Sequence, residues 1–164
     1  LSEEEYRIVE KQKRSFSEHQ LFTIGYEGKS LEKYLCTLII HDIKVLCDVR
    51  KNAYSQKYGF SGNQLETACK GIGIEYIHIP NLGIESDLRQ NLSDQSDYET
   101  LFKHYEKYTL PKNWESILQL RKIIDNKGRV ALTCFELDPK QCHRSRVAKA
   151  LMSLDNIDYK LVHL

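Results

Sequence analysis

The chain has 164 residues, 41% of them hydrophobic, which suits a single globular domain with its own core. Its 24 basic residues nearly cancel its 23 acidic ones, so net charge supplies no drive toward nucleic acid or an anionic membrane, and any such partner needs a local patch. No apolar run is long enough to span a bilayer and no signal-peptide pattern is visible, although the chain starts at Leu1 rather than Met and leaves room for a preceding segment.

Residues 2–15, SEEEYRIVEKQKRS, read as a helix with Ser2 and Glu5 as a capping box. Its face is weakly apolar, so residues 1–20 are expected to form a helical extension beside a single domain spanning 21–164. LFTIG, 21–25, is a first strand. From Ser30, apolar residues at Leu31, Tyr34, Leu35, Leu38 and Ile39 follow the 3.6-residue period of an amphipathic helix. IKVLCDV, 43–49, is a second strand; a helix runs over 62–70; IEYIHI, 74–79, is a third strand ended by Pro80. The next stretch, PNLGIESDLRQNLSDQSD, has no period, and loops this long are usually lids or binding loops. Helices over 97–109 and 113–126 are split by Pro111. RVALTCF, 129–135, is a fourth strand, a helix covers 139–153, and YKLVHL closes as a fifth. This alternation predicts an α/β fold: a three-layer, Rossmann-like or flavodoxin-like domain whose mostly parallel sheet of about five strands carries helices on both faces.

Open parallel sheets bind ligands beyond the carboxyl ends of their strands. Strand one ends in Gly25, Tyr26, Glu27 and Gly28; strand two in Asp48 and Arg50, running into NAYSQKYGFS; strand three in His78, followed by Pro80 and Gly83; strand four in Cys134 and Glu136. Four polar ends converge on one edge. Gly25 and Gly28 do not make G-x-G-x-x-G, so they carry no dinucleotide reading.

CFELDPKQCHRSR, 134–146, concentrates the chemistry. Asp138 is a good N-cap, Pro139 suits the first helical position, and Gln141 could complete a capping box, so a helix is expected to start at Pro139. Such a start, with Arg144 and Arg50 nearby, suits an anion. Cys134 and Cys142 are a nucleophile, a redox pair, metal donors or small buried hydrophobes; their spacing is not C-x-x-C, and no metal ligands are assigned. His78 and His143 are acid–base groups or core histidines, and Asp48 is a general base or a partner of Arg50. Tyr54, Tyr58 and Phe60, set among Lys51 and Lys57, either stack bases or pack their own loop. The five cysteines are an odd number with no disulfide framework, which suits free thiols in a cytoplasmic protein.

TIGYEGKSLEKYL, DVRKNAYSQKYGFSGNQL, YIHIPNLG and CFELDPKQCHRSRVAKAL, in this order, resemble the prokaryotic domain-of-unknown-function family numbered 488 over residues 21–164. Gly25, Asp48, Arg50, Ser55, Phe60, Pro80, Leu82, Gly83, Cys134, Glu136, Cys142, His143 and Arg144 match its motifs; Ala53 stands where the family usually has proline. The resemblance implies a fold and a site but no reaction and no cofactor.

The residues together point to an enzyme with a strand-end pocket for a phosphate-bearing ligand, a nucleotide or nucleic acid. Cys142, Glu136, Asp48 and His143 are its catalytic candidates. Arg50, Arg144, Gly25, Tyr26, Ser55, Phe60, His78, Gly83 and Cys134 are its binding candidates. A non-catalytic nucleic-acid- or partner-binding module is the alternative, and a thiolate metal or redox site a third.

Overall fold

The computed structural model describes residues 2–4, 7 and 18–164. Most of the expected N-terminal helix lies outside the described residues. Five strands, β1 (Gln20–Gly25), β2 (Val45–Asp48), β3 (Glu75–His78), β4 (Arg129–Cys134) and β5 (Lys160–His163), form one sheet in the order β3-β2-β4-β1-β5. Every pairing is parallel. This is the α/β architecture the alternating pattern predicts.

The helices are α1 (Leu31–Ile40), α2 (Gly62–Gly71), α3 (Gln95–His104), α4 (Trp114–Lys127) and α5 (His143–Met152). The central strands β2, β4 and β1 are buried on both faces, as parallel strands between helical layers must be, while the edge strands β3 and β5 expose their ends. Phe22, Ile24, Leu46 and Ala131 face a core with Tyr34 and Leu38 of α1 and Leu65 and Cys69 of α2. Leu21, Val45, Cys47, Val130 and Leu132 face the opposite core, with Phe102, Leu120, Ile124, Val147 and Leu151. Among the described residues no helix is long and apolar enough to cross a membrane.

The crossover after β1 runs to α1 on one face and that after β4 to α5 on the other. Between these divergent connections the carboxyl ends of β1, β4 and β2 are left open, which is where an open α/β sheet places its ligand crevice. Register brings the ends level: Gly25 pairs with Cys134, and Asp48 with both Thr133 and His78.

Two helix boundaries differ from expectation. Pro111 does not split a helix. α3 continues through a π turn, Tyr105–Thr109, into Leu110–Lys112, and the break comes at Asn113. Leu110 N–H bonds five residues back to Tyr105 O, and this relaxed spacing lets a proline without an N–H sit in the path. The helix expected from Pro139 begins at His143. Pro139–Gln141 form a separate 3-10 turn capped by Asp138, whose side chain accepts from Lys140 N–H. Cys142 is extended and is itself the N-cap of α5.

Candidate functional site

Beyond the strand ends lies a cavity of about 500 Å³, lined by Tyr26, Arg50, Tyr54, Ser55, Lys57, Arg89, Cys134 and His143 among others. A second cavity, of about 880 Å³, shares the 52–57 loop and extends to Tyr58, Asn63, Tyr76 and His78.

Cys134, the last residue of β4, is 1% exposed. Its Sγ lies 3.7 Å from His143 Nδ1 and 3.3 Å from Glu136 Oε2. His143 is fixed from behind: Nε2 sits 2.7 Å from Val49 O, the carbonyl just past β2. A neutral imidazole donating its Nε2 proton to that carbonyl presents a bare Nδ1 to the thiol. Tyr105, swung inward by the π turn, meets the His143 ring edge to face at 5.7 Å. Arg89 Nη2 lies 3.3 Å from His143 Nδ1 and 3.3 Å from Glu136 Oε1.

The electrostatics separate the two cysteines. The Cys134 thiol is held well below the usual thiol range: the Cys142 thiol donates to it, and His143 and Arg89 add positive charge, together outweighing burial. Burial pushes the Cys142 thiol up, and the neighbouring Cys134 and Glu136 charges push it further. Glu136 is raised by burial and then by Cys134. Burial disfavours a charged His143, but the Cys134 sulfur outweighs it and the net shift is upward.

Asp48 and Arg50 form the second element of the site. Asp48 is fully buried and Arg50 nearly so. Arg50 Nε donates to Asp48 Oδ1 at 2.8 Å, Arg50 Nη2 pairs with Oδ2, and Tyr76 OH donates to the same Oδ2 at 2.7 Å. Arg50 Nη1 donates to Tyr26 OH and to Phe60 O. Burial works against the Arg50 charge, yet the Asp48 hydrogen bonds and charge hold it above its ordinary range. Both groups are committed to one another, which leaves Arg50 little free valence for an anion.

The other candidates divide. Arg144, expected to grip an anion, is 0% exposed and turns its fork inward: Nη1 donates to Glu136 O and Nη2 to Leu137 O. It braces the β4–α5 loop. Tyr26 stacks on Phe60 at 4.5 Å, and Phe60 belongs to the core, which leaves Tyr54 and Tyr58 as the exposed rings of that loop. Ser55 accepts from Lys57 N–H and shapes the loop. His78 is exposed, with Nε2 2.8 Å from Arg50 O. Gly25 and Gly83 permit close backbone approach: a Cβ would lie 1.9 Å from Glu136 O and 2.0 Å from Lys51 N, respectively. Sequence reasoning missed Arg89, Tyr105 and Tyr76. The flagged loop after Pro80 was the only signal for Arg89.

The Cys134, Cys142 and His143 donor atoms lie within 4.8 Å of one another, a spacing that could hold a metal ion. The Arg89 guanidinium already supplies a positive charge there, at hydrogen-bond range of Nδ1.

Residues 30–151 match the model of a protein family described as Domain of unknown function DUF488, and the chain belongs to that family. No curated protein and no solved structure matches.

Proposed function

We propose that this DUF488 protein is an enzyme whose nucleophile is the Cys134 thiolate, working with His143 on a phosphate-bearing ligand of nucleotide type in the 500 Å³ cavity. One observation carries the reading. Cys134 Sγ faces His143 Nδ1 at 3.7 Å while Val49 O holds Nε2 at 2.7 Å, the nucleophile–base–orienter relation of thiol enzymes. Of the two cysteines, Cys134 rather than Cys142 takes the nucleophile's part, because Cys134 lines the cavity and has the lowered pKa.

The chemistry follows from that arrangement. The S–H proton moves to Nδ1, leaving a thiolate beside an imidazolium and Arg89. Sγ attacks the electrophilic atom of the ligand, and the leaving group departs with the His143 proton. Water then releases the S-linked intermediate, its proton taken by His143 or Glu136. Ligand phosphate is assigned to Lys57, which among the described residues makes no ion pair and donates to Tyr26 O from the cavity wall. Tyr54 and Tyr58, 67% and 83% exposed, offer stacking faces. These same rings favour the second reading, a binding module that holds nucleic acid or a partner without chemistry. The free thiols support a cytoplasmic setting.

Alkylation kinetics test the proposal. A thiol titrating near pH 8.5 loses about tenfold in rate for each pH unit below that value. Cys134 in a Cys36→Ser background is expected to react with iodoacetamide at a rate nearly flat from pH 8 down to pH 6. Cys134→Ser removes this fast phase, and His143→Gln makes the rate fall more steeply as the pH is lowered, because one of the groups that lower the Cys134 thiol is gone. An ordinary pH profile in the parent protein, or one stoichiometric metal ion lost in Cys134→Ser, refutes the thiolate. Oligonucleotide binding that survives Cys134→Ser, with no turnover found in the parent, favours the module.

A further inference from the structure

We propose that Cys134 and Cys142 form a reversible disulfide with a hydroperoxide as oxidant, Cys134 reacting first and Cys142 second. The inference rests on the reading of Cys134 as a reactive thiolate and goes beyond it, because it gives Cys142 a part that nucleophilic catalysis leaves unused. Three observations carry it. The two sulfurs lie within 4.8 Å of each other, close enough to be neighbours at one site and within reach of bonding by side-chain movement. They are not equivalent, since Cys134 lines the cavity whereas Cys142 is fully buried and takes no part in that lining. A small oxidant entering the cavity therefore meets one sulfur with the other held in reserve. The remaining buried thiols, Cys47 and Cys69, are packed in the two cores on opposite faces of the sheet.

The steps balance. The Cys134 thiolate attacks one peroxide oxygen and the O–O bond breaks. The departing alkoxide or hydroxide takes the His143 proton and leaves as alcohol or water. Cys134 is oxidised by two electrons to a sulfenic acid, and the peroxide is reduced by two. The Cys142 sulfur then attacks Cys134 Sγ: the S–S bond forms, the S–O bond breaks, and hydroxide departs with the Cys142 proton as water. An external dithiol returns both cysteines. Capture by Cys142 is faster than a second oxidation, so the nucleophile is spared the irreversible sulfinic state.

The test treats the parent protein, Cys134→Ser and Cys142→Ser with a slight excess of hydrogen peroxide at neutral pH, unfolds each in denaturant with N-ethylmaleimide so that every free thiol is blocked, and maps peptides by mass. In the parent, two of the five cysteines are expected to escape blocking, with Cys134 and Cys142 in one linked peptide that dithiothreitol separates. Cys142→Ser is expected to stop at a sulfenic acid on Cys134 that a cyclic 1,3-dione traps, and Cys134→Ser to leave Cys142 reduced. The parent result needs no variant to fold. Fast alkylation of Cys134 with all five thiols surviving peroxide, or with Cys134 passing to sulfinic acid unlinked, overturns this inference and leaves the nucleophile standing. An inert Cys134 in both assays overturns both.

Discussion

Replacing Asp48 by Ala is expected to lower stability by about 3–5 kcal/mol, because it strips the carboxylate from a buried guanidinium. Asp48 is 0% and Arg50 6% exposed, and every described partner of the Asp48 side chain is Arg50 or Tyr76. Without Asp48, Arg50 keeps its charge in the same packed surroundings and Tyr76 OH loses its acceptor. For a domain of this size the loss corresponds to a fall of roughly 6–20 °C in melting temperature. The double variant Asp48→Ala, Arg50→Leu removes the stranded charge, and it is expected to recover part of what the single change loses. Calorimetry on the single and double variants checks this. A single-variant loss under about 1 kcal/mol would show that the pair is not buried in solution. The same experiment separates two roles for Asp48. A proton carrier can be neutralised with little effect on folding, whereas a residue that positions Arg50, the 52–61 loop and Tyr76 cannot.

Gly25→Ala carries the second large effect. β1 and the segment after β4 run on beyond the sheet, with Tyr26 N–H on Cys134 O and Glu27 N–H on Phe135 O, and this draws the Gly25 backbone against Glu136. A Cβ at 25 would lie 1.9 Å from Glu136 O and 2.7 Å from its carbonyl carbon, and both atoms are backbone. Neither can rotate away. That oxygen is also the acceptor of Arg144 Nη1, so displacing it disturbs a second buried group. The expected cost is about 3 kcal/mol. Glu136 is carried away from Cys134 and Arg89 at the same time, so the alkylation rate of Cys134 changes with stability. Gly71→Ala is the matched control: a Cβ there meets nothing within 4 Å. Urea denaturation of the two variants decides, and a Gly25→Ala protein as stable as the Gly71→Ala protein would refute the close approach.

The strands and their open ends were legible because parallel strands between helical layers are short apolar runs, and their carboxyl ends must change chemistry where the packing stops. That is why Gly25, Asp48, Arg50, Cys134 and His143 stood out and lie near one another. Other features depend on where the chain turns. Asp138-Pro139 is a sound helix start by local rules, yet the turn after it closes as 3-10 and Cys142 resumes an extended backbone. That shift decides which sulfur meets the cavity. Arg144 looked like a surface cation because sequence cannot show which loop carbonyls will need a buried donor; here they are those of Glu136 and Leu137. Arg89 comes from a segment without periodicity, and only the folded path of residues 80–94 brings it to His143.

The π turn at Tyr105–Thr109 has a bearing on how the chain tolerates change in length. A π turn is an α-helix carrying one surplus residue. Deleting a single residue between 105 and 109 would restore regular spacing and rotate whatever precedes the deletion by about 100° against whatever follows it. With the 110–127 end anchored on the sheet, α3 and the ring now lying on His143 would turn away together. The surplus residue is thus a spacer that sets helical phase, and a shortened chain is expected to keep its sheet while losing the Tyr105 ring from His143.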